Sequence, residues 1–312
     1  MIERKTELDA VAVASLLVCC LLWGVNHVAT KLALAEIPPL LQASSRSLAA
    51  GLLVVAWARA RGIPLFDSDG TLPAGLLAGA LFAMEFACIF VGLQFTGASR
   101  MVVFIYLAPF VVALGMPFLL GVERLSPMQL VGLVAAFAGV ASAFAEGFTA
   151  PAIGEHQWLG DGLGVGAAIL WGATTLTIRA SRLSGAVAEK TLLYQLAASG
   201  VVLGIASAFL ESWPTHLTWT SLLPLAFQIV IVTFASYLLW FWLIRHYPAT
   251  QLSSFTLLTP IAGLVAGVVF LHEPITPRLV VALAAVAAGI AIVNRPNRQG
   301  AARGSLKPTP ST

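Results

Sequence analysis

Glu85, within Phe82-Ala-Met-Glu-Phe86, is the one acidic residue of fourteen that falls near the middle of an apolar run. A carboxylate facing lipid there would cost several kcal/mol, so the side chain must face other helices, pair with a base or keep its proton. Its chemistry is proton coupling or contact with a substrate amine; the alternative is a neutral carboxyl hydrogen-bonded to a neighbouring helix. In the first apolar run, Asn26 and His27 lie about one turn beyond Trp23, and Lys31 shares a helical face with His27. His27 can serve a proton or a carboxylate, or form a structural hydrogen bond.

Aromatic residues recur beside these polar ones: Trp23, Phe82, Phe86 and Tyr106 in the first half, Trp171, Tyr237, Trp240 and Phe255 in the second. On inward faces they would line a cavity for a planar or apolar solute with a polar head. Otherwise they are packing or interfacial belts. Other site chemistry is poorly supported. Cys19, Cys20 and Cys88 have neither disulfide nor metal-ligand spacing, so no metal and no cofactor are expected. Gly160-Asp-Gly-Leu-Gly-Val-Gly166 follows no strand and precedes no Lys-Ser/Thr, so it reads as the opening of a helix and not a phosphate loop. An intramembrane enzyme would need paired acids or a nucleophile with its base at one depth, and a lone Glu85 argues against it. The chain is therefore read as no enzyme.

The elements that must position these residues follow from composition. The 312 residues are 59% hydrophobic and only 10% charged, with a mean hydropathy of +0.91, too little charge to coat a soluble globule. Continuous apolar runs exclude an outer-membrane barrel of alternating strands. A net charge of +3 with scattered basic residues gives no nucleic-acid footprint. Ten candidate spans cover residues 10–34, 40–60, 73–95, 98–120, 126–146, 158–180, 189–210, 220–245, 249–271 and 276–294. All should be helices, because lipid leaves open backbone groups without partners. The first run is too long for a signal peptide's apolar core and is kept as a span. Residues 1–9 form an N-terminal tail and 295–312 a disordered one. With both termini on one side, thirteen Lys and Arg fall there, and only Lys31, Arg46, Arg100 and Arg278 fall opposite. The termini should therefore be cytoplasmic.

The chain also repeats itself. Leu22-Trp23-Gly24 returns as Leu170-Trp171-Gly172, and Leu107-Ala108-Pro109 as Leu258-Thr259-Pro260. Glu123 to Pro127 returns as Glu273 to Pro277, with Gly139 and Gly289 following at matched distances. At this offset Glu85 corresponds to Ser236 and Phe86 to Tyr237, so the halves present unlike chemistry to one cavity. Five spans per half is odd, so residues 10–147 and 158–294 should cross in opposite senses, as inverted repeats do. Pro109 and Pro260 sit mid-span at equivalent places and should kink both halves as hinges.

These motifs, over about residues 10 to 294, resemble the drug/metabolite transporter superfamily in its ten-helix EamA branch. The resemblance implies a bacterial inner-membrane carrier with cytoplasmic termini and a central cavity lined by spans 1, 3, 4, 6, 8 and 9. Members with aromatic linings include exporters of aromatic amino acids and toxic cations, of the YddG type, and this chain resembles them. The expectation is an all-α integral membrane protein that exports amino acids or related amphipathic metabolites by alternating access. Its partners would be that small-molecule substrate, membrane lipid and, as an open question, protons. A multidrug carrier or proton-coupled antiporter is the alternative within transport, and a non-transporting scaffold or receptor the alternative outside it.

Overall fold

A computed structural model of the chain describes residues 5–92, 95–96, 98–121, 124–145, 148, 154–214, 216–271 and 277–294. Among the described residues there are helices and turns and no strand. The first half supplies α1 (Ala10–Ala33), α2 (Pro39–Ala60), α3 (Leu72–Gly92), α4 (Ala98–Ile105), α5 (Ala108–Leu120) and α6 (Pro127–Ala143). In the second half come α7 (Gln157–Ala180), α8 (Ala188–Leu210) and α9 (Trp219–Phe227). A π-helical segment, Gln228–Ser236, then runs on into α10 (Tyr237–His246), followed by α11 (Ala249–Phe255), α12 (Leu258–Leu271) and α13 (Pro277–Val293). Among the described residues seven helical stretches are long and apolar enough to cross a membrane, two of them composite (Arg100–Leu120 and Trp219–His246), with α6 and α13 among the shorter apolar helices. Glu123, residues 273–276 and the tail from Arg295 lie outside the described residues.

Helix ends are set by ordinary chemistry. Asp9 caps α1 by accepting from the Ala12 amide at 2.9 Å. Ser126 and Gln129 form a capping box ahead of α6, with Pro127 at its first position. The prolines expected to kink two spans do more than that. The fourth span stops at Ile105 and restarts at Ala108, so Pro109 occupies the first turn of a new helix, where its missing amide hydrogen is no loss. Three-residue bonds bridge the gap, from the Leu107 amide to the Phe104 carbonyl and from the Phe110 amide to the Leu107 carbonyl. The ninth span breaks likewise after Phe255 and restarts at Leu258, with Pro260 in the new first turn.

The bundle has an apolar core and, unlike a soluble protein, an apolar outer face as well. The buried side of α2 carries Gln42, Ala43, Ser44, Ser47, Ala50 and Gly51, while Leu48 and Leu52 are exposed. Leu114, Phe118, Phe209 and Leu210 are exposed too, as side chains facing lipid should be. Polar groups inside bond between helices: Ser44 Oγ donates to the Gly200 carbonyl at 2.7 Å, and Gln129 Nε2 to the Val293 carbonyl at 2.8 Å.

Packing follows a pseudo-two-fold rule. α2 runs along α8 and α6 along α13, pairs that map onto themselves when the halves are exchanged. α1 packs on α12 as α7 packs on α5, and α3 packs on α7 as α1 packs on α9 with its π-helical continuation. The repeated Trp-Gly pair explains itself here. A Cβ on Gly24 would sit 2.6 Å from the Gly263 amide nitrogen, and one on Gly172 would sit 2.5 Å from Val111 Cβ. Each glycine lets its helix press against the broken span of its own contact pair, just past the proline. Gly132 and Gly289 do the same for α6 and α13, where a Cβ on Gly289 would meet the Gly132 carbonyl at 2.4 Å.

Candidate functional site

Between the two halves lies a cavity of about 260 Å³. α1 brings Trp23 and Asn26 to its wall, α3 brings Phe82, Glu85 and Phe86, and the end of α4 brings Tyr106. Opposite them stand Trp171 from α7 and Tyr237 and Trp240 from α10. These residues, spread across the sequence, meet because the broken spans and the close helix contacts bring five elements to one centre.

The aromatic wall is held edge to face. Trp23 lies 5.4 Å from Trp240 at 72° and 6.0 Å from Tyr237 at 87°. Phe82 touches Phe86 at 4.9 Å and Tyr237 at 6.4 Å, and Tyr106 meets Trp171 at 5.8 Å. Trp23 is pinned further, because its Nε1 donates to Ser236 Oγ at 2.8 Å. Ser236 ends the π-helical segment and donates its own proton to the Val232 carbonyl at 2.6 Å. At the position equivalent to Glu85, the second half thus carries the hydroxyl that orients Trp23. π-Helical turns are rare and concentrate at functional sites.

Two expected residues fall elsewhere. Phe255 is buried in the core at the end of α11 and is not on the cavity wall, because the helix break after it turns that side chain into the packing. The His27 side chain, like that of Lys31, lies outside the described residues. Pro109 and Pro260 begin new helices behind the wall, and Thr259, next to Pro260, reaches the cavity.

Arg46 is the residue that sequence reasoning missed. Counted as a charge at the outer end of the second span, it is 6% exposed and lines the cavity, with its guanidinium 4.5 Å above the Phe86 ring. Its depth was available: Arg46 lies seven residues inside Pro39, about 10 Å along the helix axis. Glu85, also 6% exposed, lies seven residues inside Gly92, the end of α3. In consecutive helices of opposite direction the two reach the same depth. Spans two and seven therefore also supply the wall, through Arg46 and Gln195.

Polar ties join the halves outside the cavity wall. Arg100 Nε donates to Asp161 Oδ1 at 3.0 Å, its Nη2 pairs with Asp161 Oδ2 at 2.5 Å, and Thr96 Oγ1 donates to the same carboxylate at 2.6 Å. At the equivalent end of the other half, Asp9 accepts from Tyr247 Oη at 3.0 Å and from the Lys5 ammonium. The hydrogen bond from Lys5 holds the Asp9 carboxyl at about 2, below its usual 3.8. Each tie joins an aspartate at the start of one half's first span to a hydroxyl after the other half's third.

The sequence pattern of the EamA-like transporter family matches residues 10–145 and again residues 158–295. The chain belongs to the EamA-like transporter family. It is 31% identical over 277 residues to the uncharacterized transporter YvbV of Bacillus subtilis strain 168, covering 88% of both chains. It is 25% identical over 286 residues to a probable amino-acid metabolite efflux pump of Salmonella typhimurium, covering 88% of this chain and 92% of that one. A similarly named pump of Escherichia coli K12 is 26% identical over 274 residues, 83% of this chain and 87% of the other. One solved crystal structure superposes with a TM-score of 0.80 at 18% identity, over 96% of this chain and 100% of its own, which bears on the fold alone. The protein is thus a multi-pass membrane transporter of this family, built from two repeats.

Proposed function

We propose that this transporter exports amino acids, aromatic and apolar ones above all, or closely related small metabolites, by alternating access. The observation that carries this reading is the cavity: an aromatic wall holding one basic and one acidic side chain, seated between two pseudo-symmetric halves. Its volume is below the usual range for drug-sized ligands, which favours a metabolite. The names of the Salmonella and Escherichia relatives support the same class. Trp23, Tyr106, Trp171, Tyr237 and Trp240 hold the apolar part of the solute, and Asn26, Glu85 and Phe86 meet its polar end. The two halves rock about the helix breaks before Pro109 and Pro260, opening the cavity to one face and then the other. The membrane is the bacterial inner membrane, with both termini cytoplasmic as the placement of Lys and Arg demands.

Glu85 favours a second reading, in which the carrier exchanges substrate for protons. Liposomes reconstituted with the protein and loaded with labelled amino acids separate these readings when assayed with and without a pH gradient. Efflux above that of empty liposomes is expected for phenylalanine, tyrosine or leucine. A gradient that drives accumulation establishes proton antiport; flux equal to empty liposomes across the whole panel refutes export.

A further inference from the structure

Arg46 and Glu85 are the two charged side chains on the cavity wall among the described residues. Both are buried, and each keeps an atom with no hydrogen-bond partner, Nε of Arg46 and Oε2 of Glu85. They form no ion pair with each other, although they stand close enough to interact electrostatically. Other buried cations have polar partners for their charged ends: Lys190 bonds to the Asp67 carbonyl and pairs with Asp69, and Arg179 donates through Nη1 to the Ile244 carbonyl at 3.0 Å. Two separate buried charges of opposite sign are expensive when neither is compensated. A ligand carrying both complementary charges on neighbouring atoms compensates both at once.

We propose that the cavity is a zwitterion site, in which Arg46 takes the carboxylate of an α-amino acid and Glu85 takes its ammonium. This rests on the reading of the protein as an amino-acid exporter and names how that substrate is told apart from its fragments. The Phe86 ring beneath the guanidinium fixes the plane of its donor fork, a geometry suited to two parallel hydrogen bonds from a carboxylate. Glu85, on the same helix three residues from Phe82 and next to Phe86, brings its carboxyl to the cavity wall at the same depth. The substrate's two head-group charges then lie against α2 and α3, and its side chain extends toward Trp23, Tyr237 and Trp240. Selectivity follows from the pair and not from total charge: a decarboxylated amine leaves Arg46 buried and unmatched, and a deaminated acid leaves Glu85 so.

The test is competition against labelled phenylalanine transport in proteoliposomes, with three unlabelled competitors: phenylalanine, phenethylamine and 3-phenylpropanoate. For the unaltered protein each one-headed analogue should compete at least about tenfold more weakly than phenylalanine, the scale of one lost charge-assisted hydrogen bond. The variants should fail in opposite ways. Arg46→Gln should lose the preference for phenylalanine over phenethylamine and keep that over 3-phenylpropanoate; Glu85→Gln should do the reverse; Arg46→Lys should recover part of the first preference. Analogues that compete as well as phenylalanine with the unaltered protein overturn the zwitterion site while leaving export standing. So do variants that weaken all three competitors equally, the mark of a structural role. Absence of transport by the unaltered protein, for phenylalanine and for the rest of the amino-acid panel, overturns the export reading and this inference with it.

Discussion

At the scale of single residues, the wall of the cavity is positioned by groups that never touch a solute. Ser236 accepts from the Trp23 indole, so Ser236→Ala leaves a buried donor without its partner and frees the ring. Its expected effect is a weaker apparent affinity for substrate with little change in melting temperature; an unchanged affinity would show that Trp23 needs no such anchor. Gly24 plays the opposite part, contributing only its lack of a side chain. A Cβ there would meet Gly263 N, Ala262 C and Ala262 Cβ all within 3.0 Å. Gly24→Val should destabilise by about 1–3 kcal/mol or more, read as a clearly lower melting temperature in detergent, with Gly172→Val behaving alike. Wild-type melting in both would contradict the close helix approach. Glu85 could be singled out from sequence because it interrupts an apolar run. Arg46 could not be so easily, because Gln42, Ser44, Ser45 and Ser47 around it leave no apolar run for it to interrupt.

At the scale of elements, the proposed rocking makes the two broken spans its hinges and the two aspartate ties its stops. The breaks leave α5 and α12 as separate rods beginning at the prolines, and α1 and α7 lean on those rods. Replacing Pro109 or Pro260 by Ala restores an amide hydrogen and lets the helix run on through the break. Either variant should fold and melt near the unaltered protein yet transport several-fold more slowly, the double variant slowest; full transport by the double variant would remove the hinges from the account. The Lys5–Asp9 tie carries a pH prediction. Because Asp9 titrates lower when folded than when unfolded, its contribution is complete above the unfolded value near 4 and fades as pH falls toward about 2. The melting-temperature difference between unaltered protein and Asp9→Asn should therefore be constant from pH 8 to 5 and shrink below pH 4. A difference that disappears between pH 7 and 5 would contradict this tie. Helix ends were legible because Pro, Gly and charge mark them, and the described ends lie within three residues of the boundaries read from sequence. The breaks were legible only as kinks at Pro109 and Pro260; that each helix stops and restarts shows only in the backbone hydrogen bonds.

At the scale of the whole molecule, duplication explains both the fold and the asymmetry of its cavity. Matched motifs gave the repeat away in the sequence, and among the described residues their glycines, Gly24, Gly172, Gly139 and Gly289, sit where helices of the two halves meet. The repeat marked Glu85 and Tyr237 as positions whose counterparts, Ser236 and Phe86, carry other chemistry; what it could not reveal is that Arg46 joins them on the cavity wall. Inverted halves with thirteen basic residues on one side predict that epitope tags at the N- and C-terminus are both shielded in intact cells and both cleaved in inverted vesicles. Tags on opposite faces would contradict the even-span topology. The central claim is that the cavity between the halves carries an amino acid across the membrane, and counterflow tests it without knowledge of any coupling ion. Proteoliposomes loaded with unlabelled phenylalanine and diluted into a trace of labelled phenylalanine should show transient internal accumulation of label far above protein-free liposomes. Label that never exceeds the protein-free level, for phenylalanine and for every other amino acid so tested, would contradict the account.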